Sequence, residues 1–207
     1  MKIGTRSILF GVHQFAIHPW FVAWAWWRLY GFPCDLRLWV AFFVHDLGYW
    51  GKPNLDGPEG ERHPEFGAKV MSVFFDTIGQ HNRIDVLQRD GNALFGSWSS
   101  FCLYHSRFLA KQAGMPYSRL CVADKLAIAL TPAWLYLPMA WLSGELGEYM
   151  EGETARSPAG NRSAREWFRA LQKRMAAWAW EHRDGKQDEW TGTIRDLATD
   201  QNAGESK

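Results

Sequence analysis

Histidine and aspartate stand side by side at His45 and Asp46, near the end of a stretch from Leu36 to Leu47 that is otherwise almost wholly apolar. Ionisable groups are costly in such surroundings unless they pair with one another or hold a cation. A metal ion answers that cost. Imidazole and carboxylate together suit iron, manganese, cobalt or zinc, whereas magnesium as sole metal favours a shell of oxygens. His18 lies 27 residues before His45 (45 − 18), and Asp124 lies later in the chain among apolar neighbours. A histidine, a His-Asp pair and a distant aspartate supply four ligands for one ion.

Three motifs carry a family resemblance: HPWFVA at His18, FFVHDLG at His45-Asp46 and CVADKLA at Asp124. Over Gly11 to Leu130 they resemble the H…HD…D pattern of the HD superfamily of metal-dependent phosphohydrolases. HPEFGAKV at His63 is similar to the H-P-E-x-G-A segment of the HD-GYP branch, and His105 falls between that segment and Asp124. The resemblance implies an all-α, single-domain HD-type helical bundle. It also implies a dinuclear metal set of His18, His45, Asp46, His63, His105 and Asp124, with one or two divalent ions bridged by Asp46.

The chemistry implied is hydrolysis of a small-molecule phosphoester, foremost a nucleotide, by a metal-bridging hydroxide, since metal binding lowers the pKa of water steeply. Asp46, Tyr49 and Lys52 are the candidate catalytic residues. Lys52 and Arg62 on a loop, with Arg107 and Lys111 four apart on a helix, are candidate phosphate contacts. Tyr49 departs from the HD-x-G-K common among relatives and carries no positive charge at neutral pH. The G-Y-P element and paired histidines of the HD-GYP branch are lacking, which argues against a cyclic dinucleotide substrate.

The same ligand order also resembles the HD-domain mixed-valence di-iron oxygenases, which makes oxidation of a small polar substrate the alternative. A non-catalytic, metal-stabilised binding module is the third reading. His13 could replace His18 or line the pocket, while His81 and His182, in polar surroundings, read as surface residues.

The elements that must position these residues are read from periodicity and punctuation. Helical spacing runs from His18 to Tyr30 and stops at Gly31 and Pro33; Asp35 caps a second, central and buried helix over Leu36 to Leu47. A polar loop follows from Tyr49 to Arg62. Pro64 starts a third helix with Phe66, Val70, Val73 and Phe74 as its stripe and Gly79 as its stop. After a turn near Arg89 to Asn92, a fourth helix is expected from Ala93 to Ala113 with Cys102, His105 and Leu109, and a fifth from Tyr117 with Asp124. Lys125 is expected to point elsewhere on that helix.

Leu126 to Gly144 carries no charge over 19 residues, close to the roughly 20 that span a bilayer. Pro132 and Pro138 interrupt it, which favours two short buried helices instead. Glu151 to Gly160 reads as a linker, and Ser163 with Glu166 forms the capping box of a helix reaching Trp180. The expected division is a core over 1–150, a C-terminal helix packed on it over 151–183, and a polar tail over 184–207.

Lys plus Arg number 23 against 22 for Asp plus Glu, so no global field draws the chain to nucleic acid or an anionic membrane. Neither partner is expected; a homodimer is allowed. Cys34, Cys102 and Cys121 read as buried free thiols in a reducing, cytoplasmic compartment. The 13 tryptophans are expected to fill the helical core, with aromatic pocket walls as the alternative.

Overall fold

Helical periodicity along the chain becomes ten α-helices, with no strand among the described residues, 1–76, 97–156 and 163–185 of the computed structural model. They are α1 (Ile3–Phe10), α2 (His18–Tyr30), α3 (Leu36–Val44), α4 (Pro64–Met71), α5 (Trp98–Leu103), α6 (Arg107–Gln112), α7 (Arg119–Leu130), α8 (Ala133–Ser143), α9 (Glu145–Arg156) and α10 (Ala164–His182). A 3-10 turn (Leu47–Tyr49) follows α3, and a π-turn (Ser72–Asp76) extends α4.

Local chemistry sets the ends. Gly31, at φ +92°, ends α2 in a conformation that a side chain resists. Asp35 accepts a hydrogen bond from Arg37 N at 2.9 Å and so caps α3. Pro64 opens α4 where its missing N–H costs nothing. Ser163 and Glu166 form the reciprocal capping box of α10.

The main core joins α2, α3, α5 and α7 through Val22, Trp26, Phe42, Phe101 and Leu120, each at most 3 % exposed. Burial of one such side chain stabilises by about 1.5–3 kcal/mol. A second cluster packs Tyr136 and Ala140 of α8 on Trp167 and Phe168 of α10, and a third joins Ile8 of α1 to Tyr49 and Leu55.

Several expectations are corrected. The fourth helix is broken: α5 ends at Leu103 and Ser106 caps a separate α6, accepting from Leu109 N. Tyr104 and His105 therefore sit in a turn. The buried face of α4 is Pro64, Gly67, Ala68 and Met71, whereas Phe66, Val73 and Phe74 face outward, because close helix contacts at Gly67 select the small-residue side. Leu36, on the helix read as wholly buried, is 78 % exposed, and that helix ends at Val44. Residues 151–156 continue α9 as helix and are no linker.

Tryptophan does not chiefly fill the core. Trp26, Trp98 and Trp167 are buried, but Trp20, Trp24, Trp27, Trp50, Trp134, Trp141 and Trp180 are exposed. The uncharged stretch forms α7 and α8 bent by 104°, and among the described residues no single helix is long and apolar enough to cross a membrane. Of the pair, α7 is buried, while α8 is only half buried. Cys34 is exposed, unlike Cys102 and Cys121. His182 is buried, its Nδ1 2.8 Å from Tyr117 Oη and its ring stacked on Trp178, so its polar sequence neighbours misled. Expectations at Gly79, His81, the 89–92 turn, the start of the fourth helix, 157–160 and the tail beyond 185 lie outside the described residues.

Candidate metal centre

Five residues at helix boundaries and one in a helix interior meet in the core. His18 opens α2, His45 caps the end of α3, Asp46 follows it, His63 precedes α4, His105 sits in the turn between α5 and α6, and Asp124 is in the body of α7. All six are at most 8 % exposed. Two glycines permit the approach. A Cβ on Gly67 would lie 2.7 Å from Val44 O and 3.0 Å from His45 Cα, and one on Gly48 would collide with His63 O.

The donor atoms fall into two groups that share Asp46: His18, His45, Asp46 and Asp124 in one, Asp46, His63 and His105 in the other, each within 4.8 Å of one another. The two oxygens of Asp46 divide between them. Oδ2 lies 3.3 Å from His18 Nε2 and 3.2 Å from His45 Nε2, while Oδ1 lies 3.4 Å from His63 Nε2 and 3.5 Å from His105 Nε2. Asp124 Oδ1 completes the first group, 3.1 Å from His18 Nε2 and 4.0 Å from His45 Nε2.

Three rings are aimed by one device. Nδ1 of His45, His63 and His105 contacts the carbonyl oxygen three residues earlier, of Phe42, Gly60 and Cys102, at 2.9, 2.7 and 2.6 Å. A carbonyl only accepts, so Nδ1–H donates and the Nε2 lone pair is left facing inward, the usual outer support of a metal-binding imidazole. Consequently His63 Nε2 and His105 Nε2, 3.1 Å apart, point lone pairs at each other. His45 Nε2 and Asp46 Oδ2 are buried without a hydrogen-bond partner. Buried orphan acceptors cost free energy, and a cation satisfies all of them at once. The donor set therefore fits metal.

Electrostatics agree. Burial opposes charge on Asp46, but His45, His105 and His63 outweigh it and hold the carboxyl well below its ordinary range. Burial likewise opposes charge on Asp124, and Lys125 and His18 outweigh it. Burial, reinforced by the charge of His105, outweighs the hydrogen bond to Asp46 and lowers His63 to about 4. The pocket thus presents carboxylates and, at His63, a neutral imidazole, the states a metal requires. Burial opposes charge on His45, but the Asp46 carboxylate outweighs it and raises that ring, whose proton a bound cation would displace.

The other sequence candidates are placed as follows. Tyr49 is buried and stacks on His63, with ring centroids 3.8 Å apart and planes 14° from parallel. Lys52 lies beside Gly4 of α1, whose N–H its carbonyl accepts. Arg62 is exposed and paired with Glu65 at 2.7 Å. Arg107 lies over the Trp178 ring at 5.2 Å, and Lys111 is exposed on α6.

Two neighbours of the site were not anticipated. Lys125 does not point elsewhere: its Nζ reaches back to Asp124 Oδ2 at 3.0 Å, which a flexible four-carbon stem permits between adjacent helical residues. Glu145, fully buried, accepts from Val12 N and Tyr149 Oη and lies 3.6 Å from His13 Nδ1. His13 also meets Ser7 Oγ at 2.7 Å, and its ring packs against Tyr49 at 4.7 Å. His13 thus lines the wall beside the centre, and His18 occupies the ligand position. A charge directly after the αL Gly144 is the one local sign of Glu145; nothing in the sequence marks its burial.

Comparison with family models, with curated proteins and with solved structures finds no match to this chain.

Proposed function

We propose that this chain is a metal-dependent phosphohydrolase of the HD type, acting on a small phosphoester, foremost a nucleotide, with Asp46 bridging two divalent cations. The observation that carries the two-cation reading is the division of the Asp46 oxygens between the His18/His45/Asp124 group and the His63/His105 pair. The motifs around those residues support the choice of hydrolysis.

Divalent cations held there would activate water at neutral pH and neutralise charge on phosphoryl oxygens. The chain's own residues supply the rest. His18, His45 and Asp124 would hold one position, and His63 and His105 would hold the other. Lys125 balances the charge of Asp124. Tyr49, stacked on His63, fixes that ring and closes one wall against water. In place of the lysine of many relatives it offers a neutral hydroxyl. Burial, with the carboxylate charge of Asp46, keeps that phenol protonated at any working pH, so it is available as a hydrogen-bond donor and delivers no positive charge.

The test is anaerobic purification, metal analysis and a panel of nucleotides and simple phosphomonoesters assayed for phosphate release. Metal-dependent phosphate release that Asp46→Ala abolishes is the expected result. Bound iron with oxygen consumption and no phosphate release would replace this reading with the oxygenase alternative.

A further inference from the structure

Helix α8 is apolar on both faces and carries no charge. Its inner face buries Tyr136, Ala140 and Ser143, and its outer face exposes Trp134, Pro138, Trp141 and Leu142 at helical spacing. Trp134 is 77 % exposed, Trp141 71 % and Leu142 56 %. From Thr131 to Gly144 no residue is charged. Exposed contiguous apolar surface of this kind marks an interaction site.

The surroundings of that face say what covers it. On α10, Phe168 stacks on Tyr136 at 4.2 Å, and Gln172 donates to the carbonyls of Ala129 and Thr131 at the α7–α8 junction. Trp167 instead lies toward Tyr149 of α9, on the opposite flank. Arg165, Arg169 and Lys173, four apart and all exposed, follow the Gln172 side of α10 at about 100° per residue, the side turned to the α7–α8 junction and away from Trp167, with Glu166 the one acidic residue beside them. At the other end, the Arg6 guanidinium packs beside Gly144.

We propose that this face of α8 docks on an anionic phospholipid bilayer, with Trp134, Trp141 and Leu142 entering the headgroup boundary and the basic stripe of α10 meeting the headgroups. Indole is suited to that boundary because it presents an apolar body and a polar N–H. Basic residues beside an apolar stripe are the arrangement of an interfacial helix. A second copy fits less well. A two-fold contact centred on α8 brings two basic stripes to one interface with no acidic residue on α8 to answer them. The global charge of +1 hides this arrangement, because the attraction is local. The proposal stands independently of the reaction at the metal centre.

The full chain is mixed with vesicles of phosphatidylcholine alone or with added phosphatidylglycerol, and binding is read by flotation. Wild type floats with the anionic vesicles, and Trp134→Ser/Trp141→Ser loses at least tenfold in partition at unchanged circular dichroism. Arg165→Gln, Arg169→Gln and Lys173→Gln each weaken partition by about fivefold. No flotation of wild type, equal binding to both vesicle types, or an unaltered double-tryptophan variant overturns the proposal. So does a concentration-dependent dimer that Trp134→Ser/Trp141→Ser dissolves without any vesicle binding.

Discussion

The interior around Asp46 and the outer face of α8 invert the ordinary rule of burial in opposite directions. Inside, four histidines and two aspartates sit at most 8 % exposed. Outside, two tryptophans of an uncharged helix stand more than 70 % exposed. Each inversion is unfavourable for an isolated chain in water, and each becomes favourable with the right partner. For the interior the partner is a cation that satisfies orphaned lone pairs; for the surface it is an apolar boundary that removes indole from water. The energetic stakes differ. Interior groups cannot find water as a substitute, while an exposed indole loses little when solvated, so perturbing the interior must cost more.

The largest effect is expected at the buried pair beside the centre. Glu145→Gln leaves His13 without its carboxylate and should destabilise by about 3 kcal/mol, the low end for a broken buried pair because the His13 side chain is 18 % exposed and can lose its proton, measured by urea unfolding. The pair also sets a pH window. Burial opposes the charge of His13, but Glu145, Asp46 and Asp124 outweigh it and raise the imidazole to about 9. A raised folded-state pKa means that the contribution is full below the ordinary 6.5 and is lost as pH rises through about 9. Burial opposes the charge of Glu145 too, but His13, Ser143 and Ser7 outweigh it and lower the carboxyl. Its contribution is therefore present above the ordinary 4.5 and lost as pH falls below it. Unfolding free energy should plateau between those limits, and in Glu145→Gln the alkaline fall should shift toward neutrality.

Metal removal comes next. A cation at 100 times its Kd adds about 2.7 kcal/mol to stability. Chelation should therefore lower the thermal midpoint of wild type, and leave that of Asp46→Ala unmoved. An equal shift in both would place the bound metal elsewhere.

Gly67→Ala should cost about 1–3 kcal/mol through overpacking where α4 crosses α3, and metal affinity should fall with it, because the displaced backbone is that of His45. Affinity titration with zinc checks the coupling. Trp134→Ser and Trp141→Ser stand at the small end, within about 0.5 kcal/mol of wild type by thermal unfolding, as expected for exposed sites. A larger loss would mean that the outer face of α8 is structural, which would erase the contrast with the interior.

The same contrast explains what the sequence discloses. Asp35, Pro64 and the Ser163/Glu166 box act on backbone groups a few residues away, so the starts of α3, α4 and α10 are legible from residue types. His45-Asp46 is legible because ionisable groups in an apolar run demand a partner wherever the run lies. Glu145 is not, because its burial depends on Val12 and His13 arriving from the other end of the chain. The break at Tyr104–Ser106 is hidden because Ser106 reads as an ordinary helical residue until its side chain is seen to accept from Leu109 N. The outer tryptophans are misread for a related reason. Periodicity tells which residues share a face, and on α2 and α8, where both faces are apolar, it does not tell which face is inside.

The account stands on Asp46 serving two positions, and metal stoichiometry tests that most directly. Element analysis of anaerobically purified protein should find two divalent ions per chain in wild type. His63→Ala and His105→Ala should each retain one, and Asp46→Ala should retain almost none. One ion in wild type, with His63→Ala and His105→Ala indistinguishable from it, would contradict the shared-carboxylate centre.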